Sequence, residues 1–348
     1  MKLRLPIALL LVALPATAAA QDVEIMLSQQ AKDVLGDELQ VAEDQLEELV
    51  RQRFREAYRL VDVQDFLRVS ANAQALANKG LGVDYAASPK IAMFGVAISA
   101  AAESGDADLD DITNPQTVLS AGAGAQISAM GGLNLGIIGL SRLTLFANGL
   151  YHPWTVNDLD GEFYNIGAHV QYALIRPKSA AVIEWRGIDL TSGVEISRMV
   201  LSLSDTQDSA APIRVDGREY EIRSAATGTL RLEQTAFNIP IEATTGITIL
   251  KLVSVYGGVG VDFMSGGAKL NADLDATMEA DDPRDATQTL DVGTARVSAA
   301  EEGAPNTVFY RALVGAQIHL GPLNVFGQVN LGLNDVAVAV AAGLRLSI

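Results

Sequence analysis

The sequence predicts an all-β membrane protein, an antiparallel transmembrane β-barrel of about 12 strands (10–14) with an N-terminal amphipathic periplasmic helix. Three observations point there: a secretory leader, a long run of two-residue hydrophobic alternation beyond residue 90, and a lipid-ready strand at the very end. In that last strand Val336, Val338, Val340, Ala342, Leu344, Leu346 and Ile348 are apolar, while Asp335, Ala337, Ala339, Ala341, Gly343, Arg345 and Ser347 take the other phase. Successive side chains point to opposite faces of a strand, so this segment has one oily wall and one small or polar wall. Its length suits a tilted bilayer crossing of about 9–11 residues better than an ordinary strand of about 5–6.

Taken from the start, Lys2 and Arg4 precede an apolar run from Ile7 to Leu14, and Ala18-Ala19-Ala20 supplies small residues for cleavage before Gln21. Residues 1–20 read as a signal peptide. A retained membrane helix needs about 20 apolar residues, and Pro6 and Pro15 interrupt this one. Removing the leader leaves 23 Lys and Arg against 42 Asp and Glu, a net charge of −19. Nucleic acid as a partner is excluded on that balance, because phosphates call for a basic patch. The chain has no cysteine, which removes disulfides, thiol chemistry and zinc–thiolate sites. Its 31 glycines stand beside only 19 aromatic residues, fewer than many barrels place at their interfacial girdles.

Residues 21–89 read as a helical periplasmic segment. Between 31 and about 61 there is no proline and one glycine, and Leu35, Leu39, Ala42, Leu46 and Leu49 alternate spacings of four and three. The stripe then shifts to Val50, Phe54, Ala57 and Val61. Acids fill the first half and arginines the second, as the helix dipole favours. Leu35, Leu39, Leu46, Leu49 and Phe54 are the candidate assembly residues, available to pack on the barrel, plug its lumen or meet copies of the chain. A second helical stretch, Gln64 to Asn78, ends at Gly80-Leu81-Gly82.

Residues 90–348 form the predicted barrel. Alternating segments fall near 91–103, 117–130, 141–151, 161–175, 180–203, 218–243, 248–263, 268–278, 287–298, 307–319, 323–332 and 335–348. Short turns are expected at 176–179, Gly321-Pro322 and Asn334-Asp335, and outer loops at 104–115, 205–217 and 301–306. Closure follows from hydrogen bonding, since an open sheet edge in hydrocarbon leaves backbone groups unpaired at several kcal/mol each. A soluble sandwich is the competing architecture, but its outer face would be frankly charged, whereas here the second phase is Gly, Ala, Ser and Asn. Tyr151, Trp154 and Trp185 are candidate interfacial aromatics. Val336, Val338, Val340, Leu344, Leu346 and Ile348 are the candidate lipid-facing set. Inward phases carry isolated Arg311, Arg345, Gln317, Gln328, Asn324 and Asn330 among small residues.

Little in the chain reads as catalytic. Barrel lipases and proteases combine His with Ser, Asn or Asp, but His152 lies in a His-Pro-Trp turn, His169 and His319 lie in strands, and no Gly-x-Ser-x-Gly elbow occurs. No enzyme, cofactor or metal is expected. Asp106, Asp108, Asp110 and Asp111, like Asp281, Asp282 and Asp285, lack the glycine and terminal glutamate of a calcium loop and read as solvated acids.

The cleaved leader, the amphipathic helix and the ending Leu344-Arg345-Leu346-Ser347-Ile348 resemble bacterial outer-membrane β-barrel proteins, with Ile348 where a terminal aromatic is usual. Gly80-Leu81-Gly82-Val83-Asp84-Tyr85-Ala86, leading into the first strand, resembles a predator-enriched family of oligomeric, lipid-trapping outer-membrane barrels. That resemblance implies a ring of barrels enclosing lipid, with no catalytic residues. The expectations are therefore the outer membrane of a Gram-negative bacterium, with membrane lipid, further copies of the chain and the outer-membrane assembly machinery as partners. Two functions remain open: a non-enzymatic homo-oligomer that contacts or encloses lipid, or a monomeric transport barrel for a small or apolar solute gated by the helix.

Overall fold

Backbone pairing in hydrocarbon has to be completed within the protein, and the strand ladder shows how this chain does it. The computed structural model describes residues 22–35, 47, 63–105, 121–180, 182–215, 218–282 and 285–348. The leader, the stripe residues Leu39, Leu46, Leu49 and Phe54, and Asp106, Asp108, Asp110 and Asp111 lie outside the described residues. Leu35 ends a short helix, α1 (Gln29–Leu35). Among the described residues no helix is long and apolar enough to cross a membrane.

The strands are β1 (Asp22–Leu27), β2 (Ala92–Ser104), β3 (Ala121–Asn134), β4 (Leu143–Val156), β5 (Leu159–Ile175), β6 (Lys178–Ser179) and β7 (Ile183–Trp185). They continue with β8 (Ile188–Val215), β9 (Arg218–Ile249), β10 (Val253–Asp282), β11 (Asp285–Gly303), β12 (Val308–Leu320), β13 (Leu323–Gly332) and β14 (Ala337–Ser347). All 14 join one sheet by antiparallel pairing. Within it the order β10-β12-β13-β14-β2-β3-β4-β5-β8-β9 returns to β10, so ten strands close a barrel and the final strand pairs with β2.

The barrel therefore sits at the lower bound of the expected range. Two of the expected strands, 248–263 and 268–278, are one: β10 runs through a bend at Gly266, whose φ of 124° only glycine adopts easily. β11 never enters the ring. β10 pairs with β12 over Val253–Phe263 and with β11 from Ala268 onward. The expected loop at 205–217 is also mostly strand, since Asp205 to Val215 of β8 pair with β9. His152-Pro153-Trp154 likewise lies inside β4 rather than in a turn.

The two ends of the barrel differ. One carries the connections at 135–142, 250–252 and 321–322, and both Ala92 and Ser347. At the other, β8, β9, β10, β11 and β1 continue as a sheet beyond the ring. An even-stranded barrel has both ends of its ring on one side, the periplasmic one, and carries its longer extensions outside. The end with Ala92 and Ser347 therefore faces the periplasm and the long-strand end faces outward. β1 pairs with Gly293–Ser298 of β11 and α1 follows it. The described start of the chain thus stands at the long-strand end, on the pairing edge offered by β11.

Outward positions form an apolar belt. Phe94, Val96 and Ile98 on β2, Ile166 and Val170 on β5, Val255 and Val259 on β10, and Val314 and Ile318 on β12 are all exposed. On the last strand Val338, Val340, Leu344 and Leu346 are 40–52% exposed while Ala337, Ala339, Ala341 and Arg345 are buried; Val336 and Ile348 flank them, also exposed. An apolar outside around a polar inside is the reverse of a soluble protein and fits lipid as the solvent. The chain is a transmembrane β-barrel of the outer-membrane type.

The wall is continuous only in part. β3 pairs with β4 over Ala129–Asn134 and Thr144–Gly149. Beyond that, toward the long-strand end, β3 leans into the lumen. There Asn165 Nδ2 donates to the Ile127 carbonyl at 2.5 Å and Gln234 Nε2 to the Ala123 carbonyl at 3.0 Å. The upper halves of β3 and β4 so border a lateral seam, and Pro153 lies on it without a donor to leave unpaired.

A plugged lumen as the candidate functional site

A ten-stranded barrel lined by glycine and alanine leaves room for one more element, and the chain fills that room itself. Helix α2 (Val63–Leu76) lies inside the long-strand end, touching β2, β3, β8, β9, β10, β11 and β14. Residues 77–86 continue through the lumen, fully buried, to Ala87-Ser88-Pro89 at the short-turn end. Residues 63–89 were expected with the periplasmic segment; the structure puts them inside the barrel.

Small residues make this possible. A Cβ on Gly122 of β3 would stand 2.3 Å from the Val69 carbonyl carbon, and one on Gly124 would stand 2.6 Å from the Ala73 oxygen. Helix backbone and wall therefore touch along one glycine stripe. Around it Leu67 and Val63 pack on Ala268, Leu270 and Val297, and Leu76 packs on Met264, Phe309 and Ala339.

Polar side chains fix the register. Asn72 Nδ2 donates to Glu103 at 2.7 Å, Asn78 Nδ2 to Ser197 at 2.8 Å, and Asn238 Nδ2 to the Ala75 carbonyl at 3.1 Å. Below the helix, Lys79 Nζ lies 2.6 Å from Glu195 and 3.1 Å from Asp262. Asp262 also accepts from Arg311 Nε at 2.7 Å, and Arg311 bonds Glu242 and, at 2.9 Å, Asn330. Two cations thus meet three carboxylates, all buried. Mutual pairing in a site of low dielectric offsets much of the cost of removing them from water.

A second anchor holds the segment with the family-like residues. Asp84 Oδ1 accepts from the Ala86 and Ala87 amides at 2.9 Å and faces Arg345 Nη1 at 3.2 Å. Arg345 also donates to the Val83 carbonyl at 2.7 Å and to Gln317 at 2.8 Å, and it lies 3.5 Å over the Phe326 ring. At the exit Arg186 donates to Ser88 Oγ at 3.0 Å and Asn134 to the Pro89 carbonyl at 2.9 Å.

The inward set Arg311, Arg345, Gln317, Gln328, Asn324 and Asn330 is buried as the alternation implies. Their partners Lys79, Asp84, Glu195, Glu242 and Asp262 were missed. A signal was present: Glu195 sits between Val194 and Ile196, and Asp262 between Val261 and Phe263, each an acid on the wrong phase for solvent. Of the aromatic candidates, Tyr151 is exposed, Trp154 stacks on Phe163 with centroids 6.1 Å apart near the long-strand end, and Trp185 donates to Thr245 at 3.0 Å near the other. Asp281, taken as a solvated acid, pairs with Arg223. His169 lies 3.6 Å from Glu195, and His319 lies in a hydrogen-bonded chain at the short-turn mouth.

Fold and site together define a membrane β-barrel whose lumen is occupied by residues 63–89 of its own chain. Residues 18–348 match the model of the Lsa36-like family, and the chain belongs to that family. No curated protein matches the sequence. Among solved structures it is similar to the translocator domain of the autotransporter NalP from Neisseria meningitidis, at 12% identity and a TM-score of 0.31, covering 78% of this chain and 92% of that one. It is also similar to a Pseudomonas aeruginosa FadL homologue (9% identity, TM-score 0.22, 74% and 90% covered) and to the Pseudomonas putida toluene transporter TodX (7%, 0.22, 75% and 90%). The barrel assignment rests on this chain's own ladder and belt.

Proposed function

We propose that this outer-membrane barrel acts through its outer surface, assembling with copies of itself and contacting or enclosing lipid, rather than through an open pore. The observation that carries this reading is the filled lumen, with Lys79 and Asp84 each held by buried wall charges. The apolar belt and the lateral seam between β3 and β4 supply surfaces for lipid or a neighbouring copy. Such a role asks for no catalysis. The test combines native mass and bound-lipid analysis of detergent-extracted protein with planar-bilayer recording. A discrete multimer that retains lipid and shows no steady conductance is expected. A lipid-poor conducting monomer would overturn the proposal and support a transport barrel gated by residues 63–89.

A further inference from the structure

At the short-turn mouth, next to the Arg345 anchor, side chains from five strands form one chain of hydrogen bonds. Ser254 Oγ of β10 lies 2.7 Å from His319 Nε2 of β12, and His319 Nδ1 lies 2.7 Å from Asn324 Oδ1 of β13. Asn324 Nδ2 donates onward to Ser347 Oγ of β14 at 3.1 Å, and Thr248 of β9 stands 2.7 Å from Ser254. The Asn324 orientation fixes the rest. Its amide nitrogen is turned to Ser347, which places its oxygen to accept from Nδ1–H; in that tautomer Nε2 is unprotonated and accepts the Ser254 proton. That is the tautomer a serine nucleophile needs from its base.

Gln317 completes the arrangement. It stands directly opposite Ser254 in the β10–β12 register. Its amide oxygen is held by Arg345 Nη1 at 2.8 Å, which turns Nε2 the other way, and that buried nitrogen has no hydrogen-bond partner. An unpaired buried donor costs free energy, and beside a nucleophile it is placed to receive developing negative charge. Ser254 and Asn324 are buried, whereas Thr248, His319 and Ser347 are half-buried, so the group meets periplasmic water at its edge.

We infer that Ser254, His319, Asn324 and Gln317 form a nucleophilic centre for a short-chain carboxylic ester arriving from the periplasmic side. Ser254 Oγ attacks the ester carbonyl carbon as its proton passes to His319 Nε2. Gln317 Nε2 donates to the oxyanion. The C–O bond breaks and the alcohol leaves with the proton from Nε2. Water, deprotonated by the same nitrogen, then cleaves the acyl-Ser254 ester and returns the proton to Oγ. Asn324 is a positioning residue. The inward placement, behind the wall and out of lipid contact, selects a small water-soluble ester over a membrane lipid.

The test uses full-length protein folded in detergent, with a fluorophosphonate probe and p-nitrophenyl acetate. Stoichiometric probe adduct on Ser254 by mass spectrometry is expected, with none on Ser254→Ala. His319→Ala is expected to lower probe labelling and ester turnover by about 100-fold or more. Asn324→Leu should lose reactivity while Asn324→Asp, which keeps an acceptor toward Nδ1, retains it; a merely structural polar contact would not separate the two. Folding of each variant is checked by heat-modifiable gel mobility, and a variant that fails it is replaced by Ser254→Cys, which should carry the adduct on sulfur when treated with iodoacetamide. Folded wild-type protein that takes no probe, or labels elsewhere, overturns the inference. Neither result touches the assembly reading, which is judged by mass and conductance.

Discussion

Lys79 is the residue on which the sealed state turns. It is a fully buried cation supplied by the plug, and Glu195 and Asp262 lie within 3.1 Å of it. Removing one partner of a buried pair costs about 3–5 kcal/mol, because the other charge stays behind unpaired. Lys79→Met is therefore expected to lower the urea midpoint of the detergent-folded barrel; an unchanged midpoint would show the wall acids to be satisfied without it. On the outside the sign of the argument reverses. Val340 sits mid-strand and 52% exposed on the belt. Val340→Arg is predicted to cost about 2–4 kcal/mol in lipid bilayers if that position meets the midplane. Full tolerance in a vesicle folding assay would remove β14 from the lipid face. The sequence showed Val340 plainly, because a strand's period of two is visible in any alternating run. It hid Lys79, because a lone lysine after a helix looks the same whether it meets water or two buried carboxylates.

At the scale of elements, α2 explains what the small inward residues are for. Gly122 and Gly124 admit helix backbone at a distance no other side chain allows. The Gly80–Ala86 stretch, which carried the family resemblance, is the part of the plug clamped by Arg345. Residues 21–62 lie upstream of every one of these contacts. Deleting them is expected to dissociate the proposed multimer, if the segment is its assembly element, while leaving conductance at the background level, since residues 63–89 still fill the lumen. Size-exclusion mass together with bilayer recording checks this, and a conducting deletion mutant would move the seal upstream of Val63. Element boundaries were less legible than element type. The expected segments 248–263 and 268–278 are one strand, because the β9 ladder carries pairing straight across Gly266.

For the whole molecule, the ring of ten strands, the outward sheet extension and the lateral seam follow from who pairs with whom. β11 could have entered the ring as readily as β12, judged by alternation alone. Only the register decides, with β12 taking the first part of β10 and β11 the remainder. The sequence by itself determined the solvent of the fold: a two-residue period with an apolar outer phase, sustained from residue 90 onward, leaves a membrane barrel. What the tertiary structure decided was strand number, the threading of residues 63–89 and the meeting of charges and hydrogen-bonding groups within the lumen. The physical reason is range. Burial phase is a local property written every second residue, while pairing and threading join positions as distant as Lys79 and Asp262, or Ser254 and Asn324, which no local pattern connects.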